Sequence, residues 1–148
     1  MKPIKLIVAP IDFSEPSQEA LETAADLAAR YGAELLLVHV VAVILPLTSL
    51  LSDAEQQREA HAAAARHLSE LASALAQQNI KVRTEVGSAN EPGMEIVRLA
   101  ADNQADMIVI ATHGITGWRK LAFGSVADRV IKEAECPVLL MRVAPPVH

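Results

Sequence analysis

The chain has 148 residues, of which 51% are hydrophobic and 21% charged, and its formal net charge is −5. A chain of this size buries about two-thirds of the surface that its unfolded form exposes, so we expect one folded domain over residues 1–148 and exclude a disordered chain. The acidic balance argues against a nucleic-acid partner, because binding phosphate backbones requires a basic surface that releases counterions.

Cysteine content and hydropathy predict a soluble, cytoplasmic protein. The single cysteine, Cys136, allows no intrachain disulfide, fits a reducing compartment and is interpreted as a packing residue. The first residues lead directly into an apolar run without the pattern of a secretory signal. The longest apolar stretch, residues 35–47, is interrupted by His39 and Pro46 and is too short to cross a bilayer, so no membrane partner is expected.

The first part of the chain alternates strand and helix patterns. Residues 4–9 are apolar except for Lys5 and rich in β-branched side chains, which predicts a buried strand. Ser14 is expected to cap the helix that follows, and Gly32 to end it. A second strand is predicted over residues 34–43, followed by an unusually apolar loop over residues 42–52.

A long Ala-rich helix is predicted next, from a capping box that starts at Ser52 to about Asn79. Spacings of four, three and four residues place four of its apolar side chains on one face. These are Ala64, Leu68, Leu71 and Leu75. Residues 80–86 alternate apolar and polar side chains, which is typical of a strand with one less-covered face, such as an edge strand.

The remaining residues continue the alternation. Asn90 is expected to cap a shorter helix, and residues 106–111 to form the fourth strand. A last helix is predicted over residues 125–135, with Ser125 as its N-cap, before the final strand Val138–Met141. Five strands alternating with four helices predict an α/β domain: a doubly wound, parallel five-stranded sheet with helices on both faces.

The segment around the start of the last helix carries the strongest functional signal. Glycine turns at strand ends and helix N-termini present main-chain N–H groups and partial positive charge, which suit a phosphate. Ligands of doubly wound sheets also bind at this edge. The sequence therefore predicts a nucleotide site here, and ordinary turn and cap glycines are the alternative. The residues concerned are Ala111, Thr112, His113, Gly114, Gly124, Ser125 and Val126.

Asp12 and the histidines of the chain have structural interpretations beside the functional ones. Asp12 is equally a cap of the first helix or a ligand contact. His113 has no Ser or Cys nucleophile paired with it, so we interpret it as a polar turn residue and not as a general base. His61 and His67, six residues apart, lie on different helix faces and cannot share a metal, and both are expected to be solvated. His39 is expected to bond a main-chain group.

Four segments, in order and correctly spaced, resemble the universal stress protein family over nearly the whole chain. Two are residues 7–14 (IVAPIDFS) and 37–40 (LVHV), and a third is residues 130–141. The fourth is Gly114, nine residues, Gly124 and Ser125, which matches most of the family's nucleotide signature. That signature is Gly, two residues, Gly, nine residues, Gly, then Ser or Thr.

The resemblance implies a sheet of order 3-2-1-4-5, a homodimer and, in one subgroup, bound ATP with Mg²⁺ or Mn²⁺ on its phosphates. It places Asp12 and Pro10 against the adenosine and the main chain of Val40 against the adenine. The remaining implied contacts, to ribose and phosphates, are Gly114, Gly124, Ser125 and Val126, with Thr112 and His113 in the same loop.

Ala111 stands where the signature has its first glycine. If the backbone there needs a positive φ, alanine costs about 1–2 kcal/mol, or about a tenfold loss of affinity. If the residue is extended, its methyl group only narrows the gap to the ribose. The sequence leaves both possibilities open.

Three functions are compatible with these residues. The favoured one is a dimeric ATP-binding stress-response module with little or no turnover, because a phosphate cradle without a positioned base or catalytic lysine stabilises the ground state. The alternative is a nucleotide-independent stress protein acting only through contacts with an unknown protein partner, which Ala111 and the apolar 42–52 loop favour. An enzyme, such as a slow ATPase using His113, ranks last.

The predicted dimer surface is the final strand, Val138–Met141. If this strand lies at a sheet edge, an apolar ladder left open invites uncontrolled pairing. A two-fold partner that covers the strand removes this hazard, and the family resemblance indicates the same surface.

Overall fold

A computed structural model of the protein describes residues 2–43, 50–112 and 124–143, with only the main chain of residues 50–53. The strands of this part of the chain are β1 (Leu6–Pro10), β2 (Glu34–Ala42), β3 (Val82–Ala89), β4 (Met107–Ala111) and β5 (Val138–Met141). The helices are α1 (Glu15–Tyr31), α2 (Leu50–Ala76), α3 (Pro92–Asp102) and α4 (Ser125–Glu133).

The strands form one parallel sheet in the order β3-β2-β1-β4-β5, which confirms the doubly wound fold and the implied strand order. Helices α1 and α2 pack on one face of the sheet, and α3 and α4 pack on the other. The winding reverses between β1 and β4, because the chain leaves these neighbouring strands on opposite faces. The edge position predicted for β3 is confirmed, and β5 is the opposite edge.

The core consists of two apolar layers separated by the sheet. Alternate residues of β2 belong to different layers: Leu35 and Leu37 face α1 and α2, whereas Leu36 and Val38 face α3 and α4. All four are fully buried, as expected for parallel strands covered on both sides. The predicted face of α2 is confirmed, since Ala64 and Leu68 are buried, and Leu71 and Leu75 pack partly buried against the first layer.

The predicted caps of α1 are confirmed. Ser14 is extended, and its hydroxyl oxygen accepts a hydrogen bond from the main-chain N–H of Ser17 at 3.3 Å. Gly32 ends the helix with φ +64°, a left-handed conformation that glycine adopts without a Cβ clash.

The other predicted helix starts are wrong. Helix α2 begins at Leu50, so Ser52 is its third residue and not its N-cap, and residues 44–49 of the predicted loop lie outside the described residues. Glu91 replaces Asn90 as N-cap of α3, because Pro92 fits the first helical position and keeps the preceding residue extended. Gly124, with φ +86°, replaces Ser125 as N-cap of α4.

Several element ends also differ from the prediction by two or three residues. Helix α2 ends at Ala76 instead of Asn79, and α4 ends at Glu133 instead of residue 135. Strand β3 continues to Ala89, beyond residue 86, because it stays paired with β2 to its end.

The amino ends of β1 and β4 are joined by the carboxylate of Asp106. Its Oδ2 atom accepts hydrogen bonds from the main-chain N–H groups of Lys5 (2.9 Å) and Leu6 (3.0 Å). The main-chain N–H of Asp106 in turn donates to the Leu6 carbonyl at 2.9 Å. These bonds fix the register of the central strand against β4. None of the helices in the described part of the chain is long and apolar enough to span a membrane.

We expect Asp106→Ala to lower the free energy of unfolding by about 1–3 kcal/mol, because the N–H groups of Lys5 and Leu6 lose their acceptor and that of Leu6 is part-buried. Asp106→Asn retains an acceptor oxygen and should lose less than half as much. Urea unfolding of the two variants measures the difference, and equal losses would contradict this role.

Candidate functional site

A cleft of about 180 Å³ opens at the carboxyl edge of the sheet, where the winding reverses. Its walls come from the ends of β1, β2 and β4 and from the first turns of α1, α3 and α4. The lining strand and turn residues are Pro10, Ile11, Asp12, Val38, His39, Val40, Ile110 and Ala111. The lining helix residues are Ser14, Pro16, Ser17, Pro92, Ile96, Val126 and Ala127.

Strand β2 provides one wall because it extends beyond β1. The last β1–β2 pair is Pro10 with Val38, after which the Ile11 N–H donates to the Val38 carbonyl at 2.8 Å. Main-chain groups of every second residue in a parallel strand point to the same side. The main-chain N–H and C=O of Val40 therefore point to the β1 side, beyond the end of the ladder and into the cleft.

Three helices direct their N-termini at the cleft, whereas the sequence indicated only that of α4. The first intrahelical bond of α4 runs from the Asp128 N–H to the Gly124 carbonyl at 2.9 Å, so the N–H groups before Asp128 have no acceptor within the helix. The N-cap Gly124 has no side chain to satisfy them. Each N-terminus adds partial positive charge, which makes this end of the cleft suitable for an anion.

Asp12 stabilises the turn before α1, whose N-cap is Ser14, and lines the cleft, so its contact with a ligand stays a prediction. Its Oδ1 atom accepts hydrogen bonds from the Ser14 main-chain N–H (3.0 Å) and hydroxyl group, and its own N–H donates to the Ser17 hydroxyl at 3.4 Å. Ser17 is buried, so its hydroxyl group is a fixed part of the wall.

Phe13 follows Asp12 with φ +65°, a conformation that costs a bulky residue about 1–2 kcal/mol. Its ring stacks on His67 of α2, with centroids 4.0 Å apart and planes 4° apart. The ring also contacts His39 of β2 at 4.7 Å and 34°. His39 makes the predicted main-chain contact, from Nδ1 to the Ile11 carbonyl at 2.6 Å. Both His61 and His67 are exposed, but the stacking of His67 was not predicted.

Ala111 is extended, so the left-handed possibility is excluded. It is paired with Met141 in the β4–β5 ladder, and the non-glycine residues with positive φ in the described chain are Phe13, Asn79 and Gln104. The alanine therefore carries no backbone strain, and its effect on a ligand is limited to the space that its methyl group occupies.

Thr112 faces β5 and is not among the lining residues. Its main-chain N–H and its hydroxyl group both donate to the Met141 carbonyl, at 2.9 and 3.4 Å, and the residue is 7% exposed. The hydrogen-bond donors expected near ribose or phosphate are thus already used at this position.

The structure brings together five of the predicted site residues in the cleft wall: Pro10, Asp12, Val40, Ala111 and Val126. Gly124 and Ser125 lie at the adjacent start of α4, where Ser125 is exposed. His113 and Gly114 lie outside the described residues. Ser17, Pro92 and Ile96 are among the lining residues that were not predicted; Pro92 was detectable as a proline at a helix start.

Glu34 and Cys136, whose pKa values are shifted, lie away from the cleft. The Arg83 guanidinium, helped by Lys81, lowers the pKa of the Glu34 carboxyl at the opposite edge of the sheet. Burial raises the pKa of the Cys136 thiol, which keeps it protonated and fits its interpretation as a packing residue. In the described residues no group of three or more His, Cys, Asp or Glu side chains is arranged to hold a metal ion.

A doubly wound sheet with a cleft at its winding reversal defines an α/β protein of the class that binds ligands at strand ends. The universal stress protein family model matches residues 3–142, so the chain belongs to the universal stress protein family. It is 35% identical over 144 residues to universal stress protein MJ0531 of Methanocaldococcus jannaschii, covering 93% of this chain and 82% of that protein.

Solved structures give the same result for the fold. That of MJ0577, also from M. jannaschii, superposes with a TM-score of 0.81 at 26% identity and covers 98% of this chain and all of that one. An Archaeoglobus fulgidus universal stress protein was solved with dAMP (TM-score 0.62, 25% identity, covering 95% and 98%). Another universal stress protein was solved with cAMP (TM-score 0.66, 22% identity, covering 95% and 98%).

Gly93 sets the distance between the two helices that form one side of the cleft. A Cβ atom on Gly93 would lie 2.7 Å from Cβ of Arg129 and 3.1 Å from the Val126 carbonyl oxygen. Helices α3 and α4 therefore pack at a separation that only glycine permits at this position. An ion pair from Arg129 to Glu91, 2.7 Å long, joins the same two helices.

We expect Gly93→Ala to lower the free energy of unfolding by about 1–3 kcal/mol, because the methyl group forces α3 and α4 apart. Gly87→Ala is the control and should lose less, since the atoms nearest to its added Cβ, at 3.0–3.3 Å, all belong to the side chain of Glu95 and none to a main chain. Thermal unfolding distinguishes the two, and an equal loss in both variants would show that the helix separation is not constrained.

Proposed function

We propose that the cleft binds an adenine nucleotide, namely ATP with Mg²⁺ or Mn²⁺ on its phosphates. The protein would act in the cytoplasm as a homodimeric stress-response module with little or no ATP hydrolysis. The observation that carries this proposal is the convergence of three helix N-termini on a largely apolar cleft, beside the main chain of Val40. The dAMP complex of a related universal stress protein, at 25% identity, supports a nucleotide as the ligand.

The apolar part of the cleft suits a purine base. Pro10, Val38, Val40, Ile96 and Ile110 provide flat and branched surfaces against which a base packs. The N–H and C=O of Val40 offer one donor and one acceptor to the base edge, the combination that adenine presents with its ring nitrogen and amino group. With the base against Val40, the ribose would lie near Asp12, whose carboxylate accepts hydrogen bonds from hydroxyl groups.

The polar end of the cleft suits the phosphates. The N–H groups at the start of α4, which have no acceptor within the helix, and the helix dipole would compensate negative charge without a basic side chain. A divalent cation would be held mainly by the phosphate oxygens and water, since the described residues provide no cluster of metal ligands.

The lining residues favour binding over hydrolysis. The side chains around the cleft in the described chain include no lysine or arginine that would neutralise charge in a transition state. His39, the histidine among them, uses Nδ1 to contact the Ile11 carbonyl. A cradle of main-chain groups stabilises the bound nucleotide without preferentially stabilising its cleavage.

Strand β5 is the surface proposed for dimerisation. Val138–Met141 forms the edge of the sheet beside β4, and the side chain of Leu139 is 36% exposed. An isologous pairing of two such apolar edges covers both. Thr112 donates to the Met141 carbonyl, so the segment that leaves β4 is attached to this strand. The end of β4, where Ala111 lines the cleft, would thus lie beside the dimer interface.

We expect calorimetric titration with ATP and Mg²⁺ to give a one-to-one complex per chain, and Asp12→Asn to weaken binding by about tenfold by removing the charge that the ribose hydroxyls contact. Asparagine keeps an oxygen for the Ser14 N–H, so the melting temperature should hardly change.

Ala111→Gly should alter affinity less than about threefold, because the alanine is unstrained. Absence of heat and of thermal shift at millimolar ATP would reject the proposal in favour of the nucleotide-independent alternative.

We expect Leu139→Lys to convert the dimer into a monomer in native mass spectrometry, because a charge on the apolar edge strand disfavours strand pairing. Tyr31→Lys, which changes an exposed residue at the end of α1, is the control and should remain dimeric. A dimer that persists in Leu139→Lys would place the interface elsewhere.

A further inference from the structure

The turn between β1 and α1 is fixed from two sides. On the cleft side, the Asp12 carboxylate accepts a hydrogen bond from the Ser14 N–H at 3.0 Å. On the opposite side, the ring of Phe13 packs against the layer under α1 and α2, where it contacts the rings of His67 and His39. Phe13, which lies between Asp12 and Ser14, is in the left-handed conformation.

A left-handed phenylalanine persists only where its surroundings stabilise it. The contact with His67 is the closer of the two, because the rings are parallel within 4° and their centroids are 4.0 Å apart. His67 belongs to α2, a helix that contributes no residue to the described cleft wall. The contact therefore connects α2 to a turn in which the neighbouring residue, Asp12, lines the cleft.

From these contacts we infer that Phe13 and His67 are positioning residues for the nucleotide: their stacked rings hold the strained turn in the conformation that presents Asp12 to the ribose. This inference rests on the proposed function. It assigns to the outer helix α2 an effect on affinity that is exerted through Asp12 and not through contact with the ligand.

The test is a double-mutant cycle measured by calorimetry with ATP and Mg²⁺. His67→Ala should weaken binding about fivefold in the wild-type background and less than about 1.5-fold in the Asp12→Asn background, because the two residues act through the same contact. His67→Phe restores a stacking ring and should restore affinity. His61→Ala, an exposed histidine on the same helix, is the control and should bind as the wild type does.

Hydrogen exchange of the Ser14 amide provides a readout that does not need nucleotide. We expect this amide to exchange about tenfold faster in His67→Ala than in the wild type, and to be protected again in His67→Phe, because its bond to Asp12 depends on the turn. An unchanged exchange rate, or equal losses of affinity in the two backgrounds of the cycle, would overturn the positioning role while ATP binding stands. Absence of ATP binding by the wild-type protein would overturn both proposals.

Discussion

The central constraint in this structure is the position of β1, which is buried along its whole length and paired on both sides. The carboxylate of Asp106 and the bonds around Lys5 and Leu6 fix its amino end. Its carboxyl end stops at Pro10, whereas β2 continues to Ala42. The part of β2 that extends beyond β1 leaves a main-chain edge exposed to the cleft, so the shortness of the central strand determines where a ligand is able to enter.

Three helix N-termini form the rest of the cleft wall. Winding reversal sends α1 and α4 to opposite faces, and the first turn of α3 approaches from the side of β2. Their N-termini meet at the cleft because every helix that follows a strand in a parallel sheet starts at the carboxyl edge. The partial positive charge at the cleft thus comes from the topology itself and does not depend on the net charge of the chain, which is −5.

The sequence was sufficient for the fold and for much of the cleft wall. Hydrophobic periodicity identified all five strands, and the spacing of Ala64 and Leu68 identified the buried face of α2. The resemblance to the family indicated Pro10, Asp12, Val40, Ala111 and Val126, all of which line the cleft. Each of these predictions depends on local patterns or on a motif of fixed spacing, which a single sequence records directly.

The errors have a different physical origin. Capping predictions at Ser52, Asn90 and Ser125 failed because side-chain capping is a weak local preference that proline, glycine and tertiary packing override. The conformation of Ala111 was undecidable because it depends on pairing with Met141, 30 positions along the chain. The stacking of Phe13 on His67 joins residues that no motif connects, and periodicity alone treats such an exposed histidine as solvated.

The close approach of α3 and α4 at Gly93 has a consequence for how this cleft is able to change. Since there is no space for a methyl group at Gly93, a larger residue there would push the two helices apart, and their separation leaves no room for small adjustments at this contact. Accommodation of a bulkier ligand would have to arise by trimming Ile96 or Val126, which border the opening. The size of the cleft is therefore changed more readily by substituting lining side chains than by changing the separation of α3 and α4.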